Sequence, residues 1–165
     1  MNKLLLTLTA AGALLLPCSG AEADQTERSA VTALLRKCVK NASRFDFGDN
    51  GRVEIRAADG KLLGHARYNS PFAKAAEGFR GPVPVVVVFG ADGRIHTVRP
   101  LPNDEDDRFW NRLLKAALFE SWSGFTPREA AELEVDAVTG ATYSSRGAIA
   151  STRELFKLEA TKNGK

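Results

Sequence analysis

The amino-acid sequence predicts an α+β protein with a single domain, in which antiparallel β-hairpins pack against helices. The predicted elements follow the order helix, hairpin, hairpin, helix, strand, helix, and this order lacks the repeated strand–helix unit of a parallel sheet. The length of 165 residues is typical of one domain, and the 44% of residues that are hydrophobic are enough for one core.

The N-terminal segment has the layout of a secretory signal peptide over residues 1–23. A cation at Lys3 precedes an apolar run from Leu4 to Leu16, and the small-residue site Ala21-Glu22-Ala23 follows. The apolar run is short for a membrane span. We therefore expect cleavage before Asp24 and export across the inner membrane to a periplasmic or other extracytoplasmic location.

The two cysteines bear on the N-terminus and on the core. Cys18 follows a leucine run, as the lipidated cysteine of a bacterial lipoprotein does. Such sites have a small residue just before the cysteine, and here that residue is Pro17. A lipid anchor on Cys18 is therefore the minor alternative to cleavage before Asp24. Cleavage would leave Cys38 alone, and no internal disulfide is then expected. Cys38 lies on the apolar stripe of the first helix, which favours a buried small hydrophobe over a reactive thiol.

The first half of the mature chain predicts a helix followed by a hairpin. Apolar residues recur at helical spacing over residues 26–43, which indicates a helix with one buried face. Apolar and charged residues then alternate from Val53 to Ala57, as in a strand with one solvated face. The turn Ala58-Asp59-Gly60 and a return strand from Leu62 to Tyr68 complete the hairpin.

A second hairpin is centred on the β-branched run from Pro82 to Phe89. This run predicts a strand that is buried on both faces towards its end. Pro84 has no backbone donor, so its part of the strand should lie at an edge or at the beginning. The segment Gly90-Ala91-Asp92-Gly93 is a turn, and residues 94–99 form the return strand.

An acidic cluster introduces the next helix. The carboxylates of Asn103-Asp104-Glu105-Asp106-Asp107 precede a helical pattern from Phe109 to Leu118. Acidic residues at a helix start complement the helix dipole. A metal site is the alternative, but the cluster lacks the glycine and the closing ligand of a calcium loop. Helix capping is therefore the favoured interpretation.

The C-terminal third predicts two further helices. Thr126, Pro127 and Glu129 have the spacing of a capping box at a helix start. A short strand is predicted from Leu133 to Val135. The last helix is predicted from about Ser145 to Glu159.

Several kinds of chemistry have no support in the sequence. The net charge of +3 is spread among mixed charges without a basic stripe, which argues against nucleic acid as a partner. The histidines, His65 and His96, have no partner at metal-ligand spacing, and both are predicted on the solvated faces of strands. Ser144 and Ser145 have no candidate base nearby in the sequence, so a hydrolase is not indicated.

The stretch VDAVTGATYSSRGAI, residues 135–149, has the character of a phosphate seat. Gly140-Ala141 permits a tight turn, and Thr142 places a hydroxyl near a helix start, where free N–H groups favour an anion. Ser144 and Ser145 could cap the helix or donate to phosphate oxygens. Arg146 opposes the dipole of the first turn unless a negative group is near. A strand–turn–helix junction capped by serine remains the alternative.

The segment DAVTGAT resembles the flavinylation motif of the FMN-binding domain family. This family includes covalent-FMN subunits of the sodium-pumping quinone reductase and of the Rnf electron-transport complex, and small secreted proteins. The matching positions are Asp136, Thr139, Gly140, Ala141 and Thr142. The resemblance implies that Thr142 accepts FMN through a phosphodiester bond. It also implies a separate flavin transferase that uses FAD and magnesium outside the cytoplasm.

The resemblance extends over roughly Val53 to Phe156 and includes the glycine-flanked segment Gly78-Phe79-Arg80-Gly81-Pro82. One departure is that many members carry Glu-Thr-Pro near the flavin where this chain has Glu105-Asp106-Asp107. The predicted organisation is a signal peptide (1–23), an N-terminal helix (24–50), an FMN-binding domain (51–160) and a disordered tail (161–165).

The resemblance implies an extracytoplasmic electron carrier with covalent FMN that serves membrane or periplasmic redox partners. Asp136 and residues 139–141 would be read by the transferase, and residues 144–146 would steady the phosphate. Two alternatives remain: a module that binds a phosphorylated ligand reversibly or senses redox state, and a flavoenzyme with its own substrate. The aromatic residues that could meet the flavin ring, although each is also a core candidate, are Tyr68, Phe72, Phe79, Trp110 and Trp122.

Overall fold

The fold is an antiparallel five-stranded sheet with helices on both faces. The computed structural model describes residues 19–69 and 75–162, and the predicted signal peptide and tail lie largely outside these ranges. The helices are α1 (Ser19–Cys38), α2 (Asp107–Lys115), α3 (Pro127–Glu132) and α4 (Thr142–Lys162). The strands are β1 (Arg44–Phe47), β2 (Arg52–Arg56), β3 (Leu62–Tyr68), β4 (Val85–Gly90) and β5 (Ile95–Pro100). The predicted α+β class and the two hairpins are confirmed.

The sheet is a meander in which each strand pairs with the next one along the chain. Its two faces are buried against different helices, and β4 contributes to both cores. Val87 and Phe89 pack with α2, α3 and α4, whereas Val86 and Val88 pack with α1. This double burial explains the unbroken β-branched run of β4. Pro84 lies just before the strand, as predicted, and its carbonyl accepts from the Leu101 amide.

Helix α1 covers the sheet face opposite to the other helices. Val31 and Leu35 are fully buried against β2 and β4. The helix ends at Cys38, earlier than the predicted residue 43, and Asn41 adopts a left-handed conformation with φ of 65° on the way to β1. Strand β1 was not predicted, because its four residues give too short an alternation. Cys38 is half-buried against this core, and burial raises the pKa of its thiol.

The predicted starts of α2 and α3 are confirmed. The Asp106 carboxylate accepts from the Arg108 amide as the N-cap of α2. At α3, the Thr126 side chain accepts from the Glu129 amide while the Glu129 carboxylate accepts from the Thr126 amide. These reciprocal bonds satisfy amides that a helix start leaves without partners.

In the described ranges, no helix has both the length and the apolar character to cross a membrane.

Two boundaries in the C-terminal segment differ from the predicted ones. Residues 133–135 form no strand. Leu133 and Val135 pack against the core between the sheet and helices α2, α3 and α4, which we call the α2–α4 core. Their apolar character therefore reflects packing and not strand pairing. Helix α4 begins at Thr142, three residues before the predicted start, because the Ser145 amide already bonds to the Ala141 carbonyl at 2.9 Å. Thr142 is therefore in the first turn of the helix.

A buried ion cluster attaches the C-terminal part of α4 to the sheet. The Glu159 carboxylate is 1% exposed and accepts from Arg52 Nη1 at 2.8 Å and from Arg67 Nε at 2.9 Å. Its Oε1 atom also lies 2.9 Å from His65 Nε2. The prediction of a solvated His65 was wrong, because α4 covers this face of β3 and the imidazole stacks on Phe89. His96 is exposed, as predicted.

The charge of Glu159 is strongly favoured in the folded state. Burial acts to raise the pKa of this carboxyl, but the hydrogen bonds and charges of His65, Arg52 and Arg67 outweigh it and lower the pKa from 4.5 to about 2. A carboxyl with a lowered pKa stabilises the fold above its unfolded-state pKa, and the contribution is lost as pH falls through the folded-state value. For Glu159 this loss begins below about pH 4.5 and continues towards pH 2.

We predict that Glu159→Gln lowers the free energy of unfolding at neutral pH by about 3–5 kcal/mol, because it leaves buried cations without their counter-charge. Urea unfolding between pH 2 and pH 7 measures this loss and should show a flatter acid limb than the wild type. Glu120→Gln is the control, because its pair with Arg99 is exposed and should cost under about 1 kcal/mol. Equal losses in the two variants would contradict the assignment.

Candidate functional site

The segment DAVTGAT forms a tight turn that leads directly into α4. The Ala141 amide donates to the Val138 carbonyl at 2.9 Å, which closes a four-residue turn with Thr139 and Gly140 at its exposed tip. Gly140 has φ of 77°, a conformation that glycine adopts without steric cost. Ala141 is 4% exposed and packs in the α2–α4 core, so it anchors the turn from below.

The Ser145 hydroxyl joins the two ends of this turn. It is fully buried, accepts from the Val138 amide at 3.0 Å and donates to the Ala141 carbonyl. Both ends of the turn are thus fixed to the first turn of α4 by one side chain. Ser145 therefore helps to fix the backbone on both sides of the turn, including that of Thr142 three residues earlier.

Thr142 is half-buried and is the first residue of α4. The amides of residues 142–144 precede the first backbone bond of the helix and therefore have no intrahelical acceptor. Together with the helix dipole, they make the surroundings of Thr142 favourable for a negative group. Among the described residues, no carboxylate or imidazole hydrogen-bonds to the Thr142 hydroxyl.

Arg112 of α2 lies against the turn. A Cβ atom placed on Gly140 would lie 1.9 Å from Arg112 Nη1, so a side chain at position 140 would displace the guanidinium. Gly140 is therefore required both for its backbone conformation and for the space that Arg112 occupies. Arg112 is exposed and has no ion-pair partner among the described residues. It adds an uncompensated positive charge beside the turn that precedes Thr142.

A buried carboxylate, Glu105, connects the start of α4 to the loop of residues 77–82. Its Oε1 atom accepts from the Phe79 and Arg80 amides at 2.8 Å each, and its Oε2 atom accepts from the Ser144 hydroxyl. Glu105 is 8% exposed. Within the loop, the Gly78 amide donates to the Gly81 carbonyl at 2.7 Å. The loop and the helix start are therefore held at a fixed separation.

Gly147 allows α4 to approach the same loop closely. A Cβ atom at this position would lie 2.7 Å from the Glu77 carbonyl oxygen and 2.9 Å from the Gly78 Cα atom. Any larger residue would push the loop away from the helix. The glycine-flanked loop thus meets, at Gly78 and Gly147, the helix that begins at the end of the DAVTGAT segment.

Three aromatic rings, Phe79, Phe109 and Tyr143, form what we call the aromatic surface beside Thr142. Phe79 is 56% exposed and Tyr143 is 67% exposed. The ring of Phe79 meets Phe109 edge to face, with centroids 5.5 Å apart, and it lies 6.4 Å from Tyr143. Phe109 and Arg112 are three residues apart on α2 and therefore share one face of that helix.

Asp136 and Arg146 lie on the flank of α4. Asp136 is exposed, and both residues line a groove of about 500 Å³ that is continued by Arg153, Glu154 and Lys157. Asp136 and Thr139 are therefore accessible from outside. Ser144 and Ser145 are buried at 1% and 0% exposure, and their hydroxyls are used within the protein.

The other aromatic candidates lie elsewhere. Trp122 is fully buried, Trp110 packs against the α2–α4 core, and Tyr68 packs against the α1 core. Phe72 lies outside the described residues. Of the aromatic residues proposed from sequence, Phe79 is the one that the structure places beside Thr142.

Glu105 and Arg112 were not predicted from sequence as site residues. Glu105 was assigned to helix capping, yet it is Asp106 that caps α2 while Glu105 reaches back to the loop and to Ser144. A local signal for Glu105 was present: Asp106 already caps α2, so the neighbouring Glu105 carboxylate is free to bond elsewhere. Arg112 carried no signal in sequence.

We predict that Glu105→Ala frees the loop of residues 77–82. The amides of Phe79 and Arg80 lose a charged acceptor, and because such a bond contributes about 1.5–3 kcal/mol, their hydrogen exchange should accelerate about ten-fold or more. Exchange resolved at single amides measures this change. Asp104→Ala, at an exposed neighbouring position, should leave both amides protected. Unchanged protection in Glu105→Ala would refute the bridging role.

The arrangement is suited to a ligand that has both a phosphate and a flat aromatic ring. The N-terminus of α4 and Arg112 favour an anion at Thr142, and the exposed rings offer an apolar surface next to it. Because Gly140 leaves room for the guanidinium, the cation lies close to the turn. The residues present therefore fit FMN linked through its phosphate.

A match to a family model agrees with this fit. Residues 78–157 match the family model described as FMN-binding domain. The crystal structure of Shewanella oneidensis NqrC is similar, with 18% identity and a TM-score of 0.48, covering 75% of this chain and 68% of that chain. A search of curated proteins finds no match. The family match therefore covers residues 78–157, just under half of the chain.

Proposed function

We propose that the protein is an extracytoplasmic electron carrier that holds FMN covalently through a phosphodiester on Thr142. The observation that carries this proposal is the position of Thr142. It presents a hydroxyl in the first turn of α4, inside the segment that matches the FMN-binding domain. When bound, FMN supplies reversible electron transfer, and the protein supplies its attachment and surroundings.

The charge of the site supports a phosphodiester at Thr142. Such a linkage retains one negative charge, which the free amides and the dipole of the α4 N-terminus stabilise. Arg112 adds a cation on the side of Gly140. Exposed ionic contacts of this kind contribute about 0.5–1 kcal/mol each, so the covalent bond and not the charge would retain the cofactor.

Attachment by a second protein fits the surroundings of the acceptor. With no base bonded to its hydroxyl in the described part of the chain, Thr142 depends on an external catalyst. We infer a flavin transferase that uses FAD and magnesium, in keeping with the motif and with the proposed export signal. The exposed Asp136 and Thr139 are available to such an enzyme, whereas the buried Ser144 and Ser145 hold the acceptor in place. Membrane or periplasmic redox proteins would be the electron partners.

We predict that Thr142→Val abolishes covalent flavin and leaves the fold unchanged, because it removes the acceptor oxygen but keeps the branched shape. The measurement is the intact mass of protein exported from cells that contain the transferase, with the adduct located by peptide mapping. Thr142→Ser is the control and should still carry FMN, because it keeps a hydroxyl. Covalent flavin in Thr142→Val would refute the assignment.

The wild-type chain provides a second decisive measurement in the same experiment. An unmodified mass from transferase-containing cells would overturn covalent attachment. The same spectrum tests export, since a mature chain that begins at Asp24 supports signal-peptide cleavage and lipid on Cys18 supports an anchor.

We predict that Arg112→Gln slows the attachment of FMN about two- to five-fold, because it removes a favourable charge of about 0.5–1 kcal/mol beside the acceptor. The initial rate is measured with purified transferase, FAD and magnesium at low salt. Arg108→Gln is the matched control on the same helix and should react at the wild-type rate. A matching loss in both variants would show that total charge, and not the position of Arg112, controls the rate.

A further inference from the structure

The aromatic surface is unusual because it exposes two large rings that contact each other. The exposed large apolar side chains of the described residues are Leu62, Phe79, Leu114, Phe125 and Tyr143. Phe79 and Tyr143 are in ring contact, and Phe109 extends the same patch from α2. Exposed aromatic patches of this kind mark binding sites more often than isolated exposed residues do.

The surface is fixed in position relative to Thr142. Tyr143 is the next residue of α4, so its backbone moves with the acceptor. The amide of Phe79 is held by Glu105, whose other oxygen holds Ser144 in the first turn of the helix. One carboxylate therefore links the backbone of Phe79 to the helix turn that carries Thr142 and Tyr143. A patch that merely covered the core would not need this connection.

We propose that the aromatic surface of Phe79, Phe109 and Tyr143 is the seat of the isoalloxazine ring of FMN, and this inference rests on the proposed function. An aromatic ring contact strengthens binding by about two- to ten-fold beyond the effect of the apolar area that it buries. That is too little to hold free FMN, but a covalent link keeps the ring at a high local concentration. A weak seat is then sufficient to order the ring and to shield one part of it from water.

The open character of the surface also follows from this role. The seat is built from two exposed rings and one half-buried ring, so it does not enclose its occupant. An electron carrier needs part of its cofactor within reach of other proteins, and a seat on the surface provides this access. A protein partner that docked directly on these rings is the competing occupant, and the following experiment separates the two.

The first test needs no variant. The wild-type chain is produced with and without the flavin transferase, with ¹³C-labelled Phe and Tyr, and the aromatic signals are compared by NMR. We expect FMN on Thr142 to shift the ring signals of Phe79 and Tyr143 while those of Phe125, an exposed aromatic residue in another part of the fold, stay unchanged. Unchanged Phe79 and Tyr143 signals in a chain with FMN on Thr142 would refute the seat alone. Absence of FMN from Thr142 would overturn the proposed function and the seat together.

The second test measures how well the seat shields the ring. Iodide quenching of flavin fluorescence is compared in flavinylated Phe79→Ala, Phe79→Trp and Phe125→Ala. A contact of about 0.5–1.5 kcal/mol corresponds to about a two- to ten-fold change in the unseated population, so quenching should increase in Phe79→Ala. Phe79→Trp and Phe125→Ala should remain close to the wild type. Equal quenching in all three variants would refute the proposal.

Discussion

The geometry of the site depends on the hydrogen bonds that one buried carboxylate accepts. Glu105 follows the last strand, yet it binds two amides of the preceding loop and a hydroxyl of the final helix. These donors come from distant parts of the sequence, and within the described ranges no backbone hydrogen bond joins the loop to the helix start. A charged acceptor satisfies several donors at once with short bonds, which a neutral side chain cannot do as well. The close packing at Gly147 then becomes possible because the loop is held in place.

Local signals explain how much of the fold could be predicted from sequence. The β-branched run and the Gly90–Gly93 turn are sufficient to predict the β4–β5 hairpin. The capping box at Thr126 is likewise recognised from four consecutive residues. The motif from Asp136 to Thr142 is likewise contiguous. Each of these features is decided by neighbours in the chain, so inspection of the sequence is sufficient to find it.

The missed features are decided by residues far apart in sequence. The alternation of apolar and polar residues in β3 predicted that His65 faces solvent. It could not reveal that α4 covers this face of the strand and buries Glu159 beside His65. The apolar pair at residues 133 and 135 predicted a strand, whereas their burial comes from packing against the core. The start of α4 was predicted too late because serines are common caps, while here Ser145 bonds from inside the helix. Arg112 reaches the turn from another helix, and no local pattern marks it.

The two ends of α4 have different chemistry and are well separated. Thr142 and Glu159 are seventeen residues apart on one continuous helix, which corresponds to about 25 Å at 1.5 Å per residue. Acid acts on the end that carries Glu159, where protonation would release the arginines of the sheet. The end that carries Thr142 is held by serines, backbone amides and a carboxylate, with no histidine among its contacts in the described ranges. Strong acid, approaching pH 2, would thus loosen this helix first at the end that carries Glu159 and last at the end that carries Thr142.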